Sequence, residues 1–161
     1  MAILYRISTH DDVDMIFLNG KINEDAGGPL NDLLEKIGPK CTINLKEINE
    51  INSLGVRLWV NFMRKFEQTR SVILEECTPE IIKQINMIPN FKGKSTIHSL
   101  YARFICDNCG SKKLELFKTG ENMPKKQEAV HLHEVKCPSC SKKMEMEEVE
   151  DEFFACIISP S

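Results

Sequence analysis

Two short runs carry thiols at a spacing that suits metal chemistry: Cys106-Asp107-Asn108-Cys109-Gly110 and Cys137-Pro138-Ser139-Cys140-Ser141. Two residues between cysteines place the thiolates about one turn apart, aimed at a common point. Two such pairs complete a tetrahedral Zn²⁺ site with Zn–S bonds of ~2.3 Å. The residue after each second cysteine, Gly110 or Ser141, is small enough for the tight turn that points backbone N–H groups at sulfur. The spacing predicts one zinc per chain, bound by Cys106, Cys109, Cys137 and Cys140. A closed four-thiolate set has no open coordination position, so its expected role is structural: it holds a small module folded. Iron in the same donor set, and a redox switch that loses metal and forms disulfides, are alternatives the spacing leaves open.

The other chemistry-bearing residues are less organised. His131 and His133 alternate along an expected strand and read as exposed strand histidines, the alternatives being replacement of a cysteine ligand or binding of a second metal. Cys41, Cys77 and Cys156 sit in or beside apolar runs and read as buried thiols. Lys112-Lys113 and Lys142-Lys143 follow the two knuckles, but residues 145–152 are strongly acidic. Over the whole chain 21 Lys+Arg face 24 Asp+Glu, a net charge of −3, and four thiolates on Zn²⁺ add two more negative charges. A protein that grips a nucleic-acid backbone carries a basic excess, so nucleic acid is not the expected partner. Contact of the cysteine module with DNA or RNA is the competing reading. The acidic run reads as a solvated turn or as an electrostatic site for a basic partner.

No G-x-x-x-x-G-K-[ST], nucleophile elbow, H-E-x-x-H or convincing carboxylate pair occurs, so no enzymatic activity is expected. No apolar run approaches the ~18 residues that span a bilayer. The start, Met1-Ala2-Ile3-Leu4-Tyr5-Arg6, lacks the basic and apolar regions of a secretory signal. Seven cysteines without such a signal point to the cytoplasm, where thiols stay reduced.

These groups need elements to position them. At ~100–200 residues per domain, 161 residues allow one domain, or one domain and a small module. Two of the seven cysteines precede residue 100 and five follow it, and Phe91-Lys92-Gly93-Lys94-Ser95 interrupts the pattern there. The expected domains are therefore residues 1–100 and 101–161. In the first, strands are expected at 3–7, 15–18 (ended by Asn19-Gly20), 42–45 and 71–75, with a polar turn at 10–14. Gly27-Gly28-Pro29 opens a helix with an apolar stripe of Leu30, Leu33, Leu34 and Ile37, and Gly38-Pro39 closes it. A second helix over 53–68 places Leu54, Leu58, Trp59, Phe62, Met63 and Phe66 on one face and Arg57, Asn61, Arg64 and Lys65 opposite. Thr78 caps a third, with Pro79 at its first position and Ile81, Ile82, Ile85 and Ile88 inside. Strands are further expected at 97–105, running into the first CxxC, at 130–135 and at 153–158, with an inserted loop at 120–127. Alternating strands and helices predict an α/β fold, a mixed sheet with helices packed on it, plus a small β-rich metal module.

The later part resembles a zinc ribbon with a long separation between its knuckles. The earlier part, residues 1–98, resembles a STAS domain. Met15-Ile16-Phe17-Leu18-Asn19-Gly20-Lys21-Ile22-Asn23 looks like that family's apolar strand followed by G-x-[LI]-[DN]. Ile43-Asn44-Leu45, the following loop and Asn52-Ser53-Leu54-Gly55-Val56 look like its central strand, loop and D-S-[ST]-G-[LV] helix start, with Asn52 in place of the aspartate and Leu54 in place of the second hydroxyl. Val72-Ile73-Leu74-Glu75-Glu76-Cys77-Thr78-Pro79-Glu80-Ile81 matches the next strand and helix start. The whole layout resembles bacterial STAS-domain proteins. The resemblance implies a non-enzymatic interaction module like the anti-sigma factor antagonists, whose protein partner is a kinase-like anti-sigma factor. It implies phosphorylation at Ser53 and partner contact through Asn52, Ser53 and Arg57. On the residues alone, Ser53 or Asn52 serves equally as a helix N-cap. The family's C-terminal helix, due around 96–105, has no counterpart in this reading.

Overall fold

The computed structural model describes residues 3–159. Strands β1 (Leu4–His10) and β2 (Val13–Ile22) form an antiparallel hairpin. Its two-residue turn, Asp11-Asp12, holds both residues at positive φ, 51° and 64°, the left-handed pair that matches the twist of the flanking strands. Helix α1 (Gly27–Lys36) leads to β3 (Lys40–Ile51), α2 (Ser53–Phe66) to β4 (Ser71–Glu75), and α3 (Pro79–Met87) to β5 (Thr96–Ile97). The sheet runs β1-β2-β3-β4-β5, with every pair after the hairpin parallel. A second, antiparallel sheet runs β7 (Lys112–Lys118), β6 (Ser99–Ile105), β8 (Glu145–Met146). Two single-turn helices follow, α4 (Glu150–Phe153) and α5 (Ala155–Ile158). The expected mixed α/β sheet with a small β-rich part is what the chain forms.

Alternation drives the packing. Ile16 and Leu18 of β2, Cys41, Ile43 and Leu45 of β3, and Val72 and Leu74 of β4 are all buried. Helix α2 buries Gly55, Trp59, Phe62, Met63 and Phe66, a stripe at helical spacing, while Arg57, Asn61, Arg64 and Lys65 stay exposed. The Trp59 indole N–H donates to the Phe91 carbonyl at 3.0 Å and the two rings stack. The buried apolar side chains form one cluster from Ile3 to Phe154, so both sheets share a core.

Several expected elements differ. Strand β2 does not stop at Asn19-Gly20: Gly20 takes φ +115° between two register shifts, and the strand continues until Ile22 is buried. Pairing along that extension lengthens β3 to twelve residues. Leu54 is 55% exposed, because the buried stripe runs through Gly55, one residue on and about 100° around the helix. Residues 130–135 form no strand; their alternation finds no partner strand, and the nearest pairing is the single bridge Lys136–Lys143. Residues 153–158 are helical. Phe153 and Phe154 are both buried, and Asn86 of α3 bonds the Phe153 carbonyl and the Cys156 N–H of the two helical turns. Strand β7 was not expected, and the acidic run supplies β8 and the first turn of α4 as well as turn.

The two sheets meet at α3. Asn86 donates its amide N–H to the Phe153 carbonyl at 2.9 Å and accepts from the Cys156 N–H at 3.0 Å. Cys77 donates to the Ser99 carbonyl at 3.2 Å and accepts from Tyr101 N–H at 2.8 Å, so β6 starts as a continuation of the pairing beside β4.

Candidate functional site

The first knuckle is the turn of the β6–β7 hairpin, closed at its base by the pairing of Ile105 with Lys112. The second is closed at its base by the Lys136–Lys143 bridge. The turns repeat each other. Cys106 N–H donates to Ser111 O and Cys137 N–H to Lys142 O, at 2.9 and 2.8 Å. Gly110 N–H donates to Cys106 O and Ser141 N–H to Cys137 O, at 2.8 and 2.9 Å. Both turn residues sit in the left-handed region, Gly110 at φ +76° and Ser141 at +65°, which is why a small residue follows each second cysteine.

The four sulfurs lie within 4.8 Å of one another, and the pairs Cys106–Cys140 and Cys109–Cys137 are 3.5 Å apart. A tetrahedron with ~2.3 Å metal–sulfur bonds has edges of ~3.8 Å, so the cage fits a single tetrahedral metal ion. Cys106 and Cys137 are buried, Cys140 is half-buried and Cys109 is exposed. Burial opposes ionisation of Cys137, yet backbone N–H groups of Cys140 and Ser139 and the neighbouring thiols outweigh it and bring the thiol down to about 6. Cys140 is lowered too, chiefly by the Lys142 N–H. The second knuckle thus favours thiolate, the form a metal binds. His131 and His133 stay outside the cage. His133 lies against the Phe117 ring at 5.5 Å and 4.0 Å from Glu115, and the metal-ligating groups gathered among the described residues are the four cysteines alone.

The second candidate surface is the start of α2. Strand β3 ends at Ile51, and Asn52 turns out of it in an extended conformation. Its side-chain oxygen accepts from the Gly55 N–H at 2.8 Å, its amide donates to Glu24 at 2.9 Å, and its own N–H donates to the Ile22 carbonyl at 3.2 Å. The Asn52 amide holds the Glu24 carboxyl below its ordinary range. Asn52 is therefore the cap. Ser53, at the first helical position, is exposed, and Arg57 is exposed one turn on.

Sequence reasoning missed a polar knot. Glu76 follows β4 at φ +49°, accepts from the Asn44 amide at 2.6 Å and from the Tyr101 hydroxyl at 2.8 Å, and its N–H donates to the Ser99 hydroxyl at 2.7 Å. These residues come from three separate segments, β3, the residue after β4, and β6, and nothing in their local sequence announces the convergence.

The chain matches no protein-family model and no curated protein. Among solved structures it is similar to that of the anti-sigma factor antagonist SpoIIAA in its unphosphorylated form, at 17% identity, over 58% of this chain and 86% of that one, with a TM-score of 0.43.

Proposed function

We propose that this protein is a non-enzymatic regulatory module of the cytoplasm, of the anti-sigma factor antagonist kind, that binds a protein partner through the start of α2. In this reading residues 1–100 form a STAS-like interaction domain and residues 101–161 a zinc-ribbon-like domain docked on it. The observation that carries the reading is the division of labour at Asn52-Ser53: Asn52 caps the helix, which leaves the exposed Ser53 hydroxyl without that duty. A phosphate on Ser53 would lie at the positive end of a 14-residue helix and one turn from the Arg57 guanidinium. Adding about two negative charges there rewrites the electrostatics of any surface docked over Asn52, Ser53 and Arg57. The natural partner is an anti-sigma factor with kinase activity.

The four cysteines hold one Zn²⁺ in this reading, and its role is structural. The ion ties the β6–β7 turn to the second knuckle, 28 residues further on, and so fixes a segment with little regular structure of its own. Two measurements test the proposal. Metal analysis of the purified chain is expected to give one zinc per chain, lost in Cys137→Ser; stoichiometry near zero overturns the metal assignment. Affinity capture with wild type and Ser53→Glu in parallel is expected to change the yield of one protein partner. Equal capture by both removes the switch and leaves Ser53 as a plain surface residue.

A further inference from the structure

A strand at the edge of a sheet offers unpaired N–H and C=O groups to any other strand. Proteins blunt such edges with lysine, proline, bulges or shortness. Among the described residues the larger sheet ends in β1 and β5, and the smaller in β7 and β8. Strands β5 and β8 are two residues long. Strand β7 has seven residues but carries Lys112, Lys113 and Lys118. Strand β1 also has seven residues and uses none of these devices. Leu4-Tyr5-Arg6-Ile7-Ser8-Thr9-His10 contains no lysine, proline or glycine, and it pairs with β2 at every position without a register shift.

The hairpin turn fixes which main-chain groups face outward. A two-residue turn with both residues left-handed closes on a pair that exchanges both its hydrogen bonds, here His10 and Val13. Such pairs alternate along an antiparallel ladder, so Leu4, Arg6, Ser8 and His10 bond to β2. Tyr5, Ile7 and Thr9 turn their N–H and C=O groups away from it. The polar side chains of β1, by contrast, are engaged within their own chain. The Tyr5 hydroxyl accepts from the Lys36 ammonium at 2.7 Å, and Thr9 donates to Asp14. Ser8 bonds His10 at 3.0 Å, and the Arg6 guanidinium lies back over the Phe17 ring of β2, 4.3 Å from its centre.

We propose that β1 is a dimer interface, in which two copies of this chain join their β1 edges antiparallel about a two-fold axis at Ile7. In that register Ile7 faces Ile7 of the second copy, and Tyr5 faces Thr9 of the second copy. Every outward-facing residue then sits in a pair that exchanges both main-chain bonds. Tyr5 with Thr9 is an aromatic–β-branched pair, a favourable cross-strand class. Arg6, the one permanently charged residue of β1, faces Ser8, and Leu4 faces His10, so no like charges meet. A strand of unlike sequence would gain the main-chain bonds but find no free polar side chain on β1 to set its register. Because one edge serves both copies, the contact consumes it in each and closes at two, joining the larger sheets into one continuous sheet.

Sedimentation equilibrium of the full-length, metal-loaded protein, from low to high micromolar concentration, tests this together with amide hydrogen exchange. A reversible monomer–dimer equilibrium is expected. The amides of Tyr5, Ile7 and Thr9 should be protected in the dimer and exchange faster on dilution. Ser8 is half-buried and its substitution leaves the main-chain bonds to β2 in place. Ser8→Lys sets an ammonium opposite Arg6 of the second copy twice per dimer, and should weaken dimerisation by about 2–30-fold. Ser8→Glu in the same place should hold or tighten it. Circular dichroism checks that both variants fold. A protein that stays monomeric throughout overturns the proposal. So does a dimer in which the Tyr5, Ile7 and Thr9 amides exchange as fast as in the monomer, or equal weakening by Ser8→Lys and Ser8→Glu.

Discussion

Gly55 carries the sharpest test of how α2 is seated. A methyl group added there would lie 1.8 Å from the Ile22 carbonyl oxygen, 2.3 Å from its carbon and 2.8 Å from the Asn23 nitrogen. All three are backbone atoms at the end of β2, so no side chain can swing aside. Restoring even 3.0 Å requires the helix and strand to part by roughly 1.2 Å. That movement acts on two hydrogen bonds of the same corner, Gly55 N–H to Asn52 and Asn52 N–H to Ile22. Overpacking typically costs about 1–3 kcal/mol and a lost cap ~1 kcal/mol, so Gly55→Ala should destabilise by about 2–4 kcal/mol. For a chain of this size that is a fall in Tm of about 5–15 °C. Gly28 is the matched control: nothing lies within 4 Å of its added Cβ and it sits in the first turn of α1. Gly28→Ala should leave Tm level or raise it by the few degrees that about 0.4–1 kcal/mol provides. Thermal unfolding followed by circular dichroism reads both. A Gly55→Ala protein that melts with wild type would refute the close approach of α2 to β2.

Three further outcomes follow from the geometry. Asn52→Ala should lower stability by ~1 kcal/mol while Ser53→Glu leaves it unchanged or slightly raised, because the cap bond belongs to Asn52 and an acid at the first helical position favours the dipole; urea unfolding of the two variants distinguishes them. Burial pushes the Glu76 carboxyl up, but the Asn44 amide and the Tyr101 hydroxyl outweigh it, so its folded value lies below the ordinary 4.5. Its stabilising contribution is therefore present at neutral pH and disappears as pH falls through that lowered value. Tyr101→Phe removes one donor, and should lose ~1 kcal/mol at pH 7 and flatten the acid limb of a pH–stability profile, whereas a parallel profile of unchanged depth contradicts the knot. Chelation should melt the β6–β7–β8 region while emission from Trp59, fully buried against Phe91 and Phe62, keeps its short wavelength; a red shift on chelation would show that the larger sheet also depends on the metal.

What the sequence determined is local. A CxxC turn needs only neighbouring residues and a small one after it, so the four cysteines and the left-handed positions of Gly110 and Ser141 follow from spacing. Helix α2 announces itself by periodicity, and α3 by Thr78, whose hydroxyl accepts from Ile81 N–H, with Pro79 at the first position. The strand–helix alternation of residues 1–100 sufficed for a mixed α/β sheet with helices packed on it, because apolar runs separated by amphipathic helices pack as layers. Tertiary structure decided the rest. Gly20 reads locally as a strand end, but pairing with β3 carries β2 past it. Residues 153–158 form an apolar run too short for periodicity to separate strand from helix, and Asn86, nearly seventy residues earlier, supplies hydrogen bonds to both of its turns. Residues 130–135 alternate like a strand and lack one because a strand exists only where another offers its N–H and C=O groups. The Glu76 knot is assembled from segments distant in sequence, and a convergence of that kind is a property of the folded chain alone.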